Sequence, residues 1–137
     1  MNWNEYFLSV AAAAATRSHC LHRKIDAVLV KDHRIIATGY NGPASGLSHC
    51  STCDRTLPGK ELDDCRALHA EENAIIQVGS GATGATLYST LQPCYHCSKM
   101  IIQAGIEQVY YGERYPDGRG LEILKEAGIE VIILGQI

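Results

Sequence analysis

The chain has 137 residues, 46% of them hydrophobic, and a net charge of −3. That length supports a single domain spanning 1–137 with a real core and no need of covalent staples. No run of eighteen apolar residues occurs, so no segment reads as membrane-spanning, and the acidic balance argues against a nucleic-acid polymer as partner.

The first predicted element is a helix over residues 4–16, with Trp3, Phe7, Val10 and Ala14 on one face. Asn2 followed by Glu5 resembles a capping box. The run Ala11 to Ala15 is too short to cross a membrane and reads as tight helix-to-sheet packing. No basic segment precedes this apolar stretch, so no signal peptide is expected. Six cysteines without an export signal then point to a reducing, cytoplasmic setting and to metal binding instead of disulfides.

Residues 16–24 are polar and mostly basic. Arg17, Arg23 and Lys24 crowd together there, as a solvated loop or as a phosphate clamp. Ile25 to Val30 and Arg34 to Tyr40 read as a hairpin joined by Lys31-Asp32-His33, with His33 a turn residue. Gly39-Tyr40-Asn41-Gly42-Pro43 ends the second strand in strong turn punctuation. Asn41 is either structural or a donor to a sugar hydroxyl.

Residues 41–68 make a 28-residue connection with little periodicity, long enough that something should hold it. It carries His49, Cys50, Cys53 and Cys65, and Cys20 precedes the first strand. A structural zinc on Cys20, Cys50, Cys65 and either Cys53 or His49 is one reading; buried thiols are the other.

The remainder alternates. Leu68 to Val78 reads as a helix with Ala70, Ala74, Ile75 and Val78 inward, stopped by Gly79 and Gly81. A strand over 85–90, a helix over 95–104, a strand over 108–111, a helix over 120–127 and a strand over 129–134 follow. Ala-Gly-Ile-Glu occurs at 104–107 and again at 127–130. Each copy reads as a helix end with a left-handed glycine cap, then a strand start. Strand–helix–strand order implies parallel pairing through right-handed crossovers, hence an α/β sheet with helices on both faces.

Two short pieces within this frame carry chemistry: His69-Ala70-Glu71 and Pro93-Cys94-Tyr95-His96-Cys97. One imidazole and two thiols are three ligands of a tetrahedral zinc, which leaves the fourth position for a water. Residues i and i+2 of a helix diverge by about 200°. His69 and Glu71 can therefore serve one ion only if a helix starts there with His69 as its cap. Cys94 and Cys97 share a face of a first turn, whose dipole favours thiolate, and Pro93 suits the entry. A redox Cys-x-x-Cys pair is the plainer alternative. The full pattern matches the H-x-E…P-C-x-x-C signature of zinc nucleobase deaminases.

Across nearly its whole length the chain resembles the deoxycytidylate (dCMP) deaminase branch of the cytidine deaminase superfamily. The matching stretches are Asn4-Glu5-Tyr6-Phe7, Arg17-Ser18-x-Cys20, Thr38-Gly39-Tyr40-Asn41-Gly42, His49-Cys50, Cys65-Arg66-x-x-His69-Ala70-Glu71-x-Asn73-Ala74-Ile75 and Gln92-Pro93-Cys94-x-x-Cys97-x-Lys99-x-Ile101. The resemblance implies a three-layer α/β/α fold with a mixed five-stranded sheet. It implies zinc on His69, Cys94 and Cys97, Glu71 as proton shuttle, Asn41 on the deoxyribose and the backbone near Ala70 on the pyrimidine. It further implies a homo-oligomer, commonly a hexamer, and regulation by dCTP and dTTP with Mg²⁺. Where the family usually has Val-Gly-Ala, this chain has Ile25-Asp26-Ala27. A carboxylate there is expected to repel a triphosphate.

The expected activity is hydrolysis of dCMP to dUMP and ammonia. Three rivals stand beside it: a tRNA adenosine deaminase, a free-nucleoside or antibiotic deaminase, and a non-catalytic zinc-binding module. The acidic balance disfavours the first, a phosphate requirement separates the second, and the third has no use for Glu71.

Overall fold

Asn2 opens the first helix, α1 (Trp3–Ala15), through the reciprocal bonds its sequence implies. The Glu5 N–H donates to Asn2 Oδ1 at 2.8 Å, and the Asn2 N–H donates to Glu5 Oε2 at 3.2 Å. Residues 1–53 and 65–135 are described in this computed structural model; the middle of the cysteine-bearing insertion lies outside them. The buried face of α1 is Phe7, Leu8, Ala11 and Ala15, not the predicted Trp3, Val10 and Ala14 with Phe7. The difference is one of rotation: the 7–11–15 ridge puts two alanines at the sheet, which permits a close approach. Trp3 stays 53% exposed and stacks on His33, ring centroids 4.4 Å apart.

The hairpin forms as expected. Strands β1 (Asp26–Lys31) and β2 (Arg34–Tyr40) pair antiparallel. Asp32 and His33 both take positive φ, 52° and 60°, the two-residue turn that matches strand twist. Strands β3 (Gly42–Pro43) and β4 (Ala67–Leu68) pair with each other, so the long insertion is pinned where it leaves and where it returns. Leu68 therefore belongs to a strand, and the helix predicted to begin there begins instead at Ala70, as α2 (Ala70–Val78).

After α2 come β5 (Thr86–Leu91), α3 (Tyr95–Ala104), β6 (Gln108–Glu113), α4 (Arg119–Glu126) and β7 (Glu130–Ile133). The five-stranded sheet runs in the order β2-β1-β5-β6-β7. The β1 contacts to β2 and β5 are antiparallel; β5–β6 and β6–β7 are parallel, as short crossovers through α3 and α4 require. Strand alternation divides the core. Val28, Val30, Tyr88 and Tyr110 meet Phe7 and Ala11 of α1. Ala27, Leu29, Leu87 and Val109 meet Ala70, Ala74, Ile101 and Leu124 of the other three helices. The fold is thus a mixed α/β sheet with helices on both faces.

Both Ala-Gly-Ile-Glu copies do what their glycines imply. Gly105 and Gly128 sit at φ 82° and 83°, and Ile106 and Ile129 are buried directly after them.

Asp26 opens β1, within the strand its sequence position suggests. It is fully buried in β1, and neither carboxylate oxygen has a hydrogen-bond partner among the described residues. Burial pushes its carboxyl up to about 8. A neutral, enclosed carboxyl does not act as an exposed charge against effector phosphates. No helix among the described residues is long and apolar enough to cross a membrane.

Candidate metal and active site

Two helix starts face each other. His69 is the N-cap of α2 and Cys94 the N-cap of α3, both with extended backbone. His69 Nδ1 lies 3.5 Å from Cys94 Sγ and 3.2 Å from Cys97 Sγ. A tetrahedral zinc with Zn–S of ~2.3 Å and Zn–N of ~2.0 Å sets its sulfur and nitrogen donors roughly 3.5 Å apart. The donor set fits zinc in both chemistry and spacing. Among the described residues, no other three His, Cys, Asp or Glu side chains gather in this way.

The local sequence explains the convergence. Gln92, Pro93 and Cys94 follow β5, so the strand delivers the first thiol to its own carboxyl end. Cys97 N–H donates to Cys94 Sγ at 3.4 Å, the N-cap bond of α3. Two glycines let the site helices pack closely, Gly39 in β2 against α2 and Gly120 in α4 against the start of α3. A Cβ on Gly39 would stand 2.5 Å from the Ala70 carbonyl oxygen and 2.6 Å from the Ala74 nitrogen. One on Gly120 would stand 2.7 Å from the Pro93 carbonyl oxygen and 2.6 Å from Ser98 Oγ.

The electrostatics suit a cation and a proton carrier. Cys94 is held down at about 4, by hydrogen bonding with Cys97 first and then with His69. Cys97 is pushed up, chiefly because Cys94 bears the shared negative charge. His69 is raised to about 9, mainly by its bond to Cys94. Glu71 is 5% exposed, and burial raises its carboxyl to about 7. A carboxyl titrating near neutrality can both take and return a proton.

One cavity opens on these groups, walled by His19 to Arg23, Ile25, Asn41 to Pro43, Cys50, Cys53, Cys65 to Glu71, Leu91, Gln92, Cys94 and Tyr115. Of the expected phosphate residues, Arg23 lines it, whereas Arg17 and Lys24 are exposed elsewhere. Arg23 is ion-paired with Glu113. Asn41 lines the cavity but is largely occupied: its Oδ1 accepts from Ile25 N at 2.9 Å and lies 2.8 Å from Ser18 Oγ, and its Nδ2 donates to Arg23 O at 2.7 Å. One amide hydrogen is left for a ligand. Ala70 is the first residue of α2, so its N–H has no partner within the helix. Cys20, Cys50, Cys53 and Cys65 also line the cavity; His49 does not, and its ring meets that of His19.

Several lining residues carried no assigned role in the sequence, although Arg66 and Gln92 lie in the stretches that carry the family resemblance. Arg66 reaches the cavity wall with its guanidinium bonded to the Ser48 carbonyl and hydroxyl oxygens at 3.1 Å. Tyr115 is placed by Gln92, whose Oε1 accepts from the Tyr115 N–H at 3.1 Å while its Nε2 donates to Asp117 O at 3.2 Å.

A mixed sheet whose two facing helix starts present a histidine, two cysteines and a buried glutamate carries the architecture of zinc nucleobase deaminases. The family profile described as "Cytidine and deoxycytidylate deaminase zinc-binding region" matches residues 1–113. The chain belongs to that family. It is 47% identical over 120 residues to the deoxycytidylate deaminase of Mycobacterium phage D29, covering 80% of this chain and 94% of that one. It is 42% identical over 137 residues to the Saccharomyces cerevisiae deoxycytidylate deaminase, covering 95% of this chain but only 44% of the yeast protein. Among solved structures, it is similar to dCMP deaminase from the cyanophage S-TIM5 in complex with dCMP and dUMP. That match has a TM-score of 0.84 and 34% identity, and covers 95% of each chain.

Proposed function

We propose that this chain converts dCMP and water to dUMP and ammonia, with His69, Cys94 and Cys97 holding zinc and Glu71 moving the protons. The observation that carries this reading is the buried Glu71 carboxyl beside three zinc-spaced donors, in the lining of a single cavity. The likeness to a deaminase whose structure holds dCMP and dUMP supports the choice of nucleotide.

Bound zinc supplies Lewis acidity, lowering the pKa of a coordinated water towards 7. Glu71, whose carboxyl burial raises to about 7, takes the proton released by water and passes it to N3 of the pyrimidine. It then takes the proton of the new C4 hydroxyl and gives it to the leaving amine as the C4 carbonyl forms. The Ala70 N–H, unpaired at the start of α2, is positioned to donate to the ring. Asn41 offers its remaining amide hydrogen to the deoxyribose. Arg23 is the expected cation that lines the cavity, and we assign the 5′-phosphate to it. Ammonia release measured across dCMP, CMP, deoxycytidine, dCTP and a tRNA anticodon stem tests the whole reading; turnover of the tRNA stem or of deoxycytidine in preference to dCMP would overturn it.

The same reading includes a second, structural zinc on Cys20, Cys50, Cys65 and either Cys53 or His49. Its support is that Cys20, Cys50, Cys53 and Cys65 line one cavity; their donor atoms do not converge as those of His69, Cys94 and Cys97 do, so zinc would have to draw them together. Metal analysis should return two zinc ions per chain, falling to one in Cys50→Ser. The enzyme is read as cytoplasmic and homo-oligomeric, a hexamer on the strength of the family resemblance, which light scattering decides. Mg²⁺ enters only with a triphosphate effector.

A further inference from the structure

We propose that Glu113 is a positioning residue: it fixes where Arg23 presents its guanidinium to the substrate phosphate, and so sets the base-to-phosphate length the site accepts. This rests on the assignment of Arg23 to that phosphate.

Four observations lead there. Arg23 pairs with Glu113 across 90 residues of sequence, through Nη2 and Oε2 alone. Its Nη1 and Nε have no protein partner among the described residues, so part of the donor fork remains for an anion. The Arg23 backbone is anchored separately, its carbonyl accepting from Asn41 Nδ2 at 2.7 Å, and only the long side chain needs orienting. Both partners are about two-fifths exposed, 40% and 41%, where an ion pair adds little to stability. Orientation is the role left to it.

The other end of the pair is tied to the metal site. Glu113 is in register with Leu91 in the parallel β5–β6 ladder, and its carbonyl accepts from the Gln92 N–H at 2.8 Å. Gln92 leads directly into Pro93 and Cys94. The carboxylate thus stands at a fixed distance along rigid strand backbone from a metal ligand. Arg23, held to it, is referenced to the metal and not to its own loop. A substrate bound at its base by the metal end meets a cation at one set reach.

The test is a double-mutant cycle on dCMP deamination with zinc-loaded wild type, Glu113→Gln, Arg23→Gln and the double variant. Glu113→Gln should raise KM about tenfold, equivalent to ~1.4 kcal/mol, with kcat changed less than twofold. Arg23→Gln should raise KM at least as much, and the double variant no further, because the glutamate acts only through the arginine. Glu113→Asp, which keeps the charge on a shorter arm, should show a smaller rise, and serves also if the glutamine variant folds poorly. Multiplying effects in the double variant, or an unchanged KM in Glu113→Gln beside a raised one in Arg23→Gln, overturns the positioning role alone. An unchanged KM in Arg23→Gln overturns the assignment of the phosphate to Arg23, and the inference with it.

Discussion

Glu72 joins His96 to the opposite half of the metal site: its Oε2 stands 3.6 Å from His96 Nε2, and its Oε1 accepts the His69 backbone N–H at 2.9 Å. One carboxylate therefore caps α2 at the imidazole ligand and touches the turn between the two thiol ligands. Groups behind metal ligands commonly govern affinity by 10–100-fold. Glu72→Ala should weaken zinc retention by roughly that range, read by competition with a chromophoric chelator. Glu72→Gln, which keeps an oxygen for the His69 N–H, should fall between. Wild-type affinity in the alanine variant would remove Glu72 from the site.

Glu71→Gln should keep the fold and the bound zinc yet lose turnover by roughly 10²–10⁴, the usual span of a positioned proton carrier. No other carboxylate lines the cavity among the described residues. Zinc content and kcat are measured on the same preparation. Near-normal turnover in a zinc-loaded variant would dismiss Glu71 as the shuttle.

Gly39→Ala should damage the site without touching a ligand. Its Cβ would lie 2.5 Å from a backbone oxygen of α2 and 2.6 Å from a backbone nitrogen, neither of which can rotate away. Overpacking of this kind costs ~1–3 kcal/mol. A lowered melting temperature with reduced zinc occupancy is expected, since α2 carries both Glu71 and the His69 cap. An alanine variant that melts and binds zinc like the wild type would show that the layers are looser than drawn.

Asp26 makes stability fall as pH rises. Its carboxyl titrates at about 8 when folded and near ~3.9 in an unfolded chain. Between those values the folded state holds a proton that the unfolded state lacks, so the contribution of this group is complete below ~4 and is lost as pH climbs through about 8. The slope from this group approaches ~1.4 kcal/mol per pH unit. Asp26→Asn carries no such charge and should remove that component. Urea unfolding at pH 6, 7, 8 and 9 measures it as the difference between the two proteins, which cancels the pH dependence of zinc binding. Identical slopes would place the ionised Asp26 comfortably in the folded protein.

What the sequence by itself determined is local and periodic. Asn2 with Glu5 announced α1, Asp32-His33 the hairpin turn, and two glycine caps the ends of α3 and α4. The chemical pieces were equally legible, because His69 and Cys94 need only a helix start beside each to converge. Where longer contacts decide, pattern was silent or misleading. Arg17, Arg23 and Lys24 look alike in the sequence, yet only Arg23 reaches the cavity, because Asn41 and Glu113 hold it there from 18 and 90 residues away. The rotation of α1 followed from which ridge could lie closest to the sheet, not from hydrophobicity, which Trp3 and Val10 also possess. Asp26 read as a carboxylate that would repel a triphosphate; its full burial in β1, the strand between β2 and β5, is visible only in the folded sheet. Residue type and spacing act over a turn or two of chain, whereas burial, pairing and titration depend on neighbours that only the folded sheet brings together.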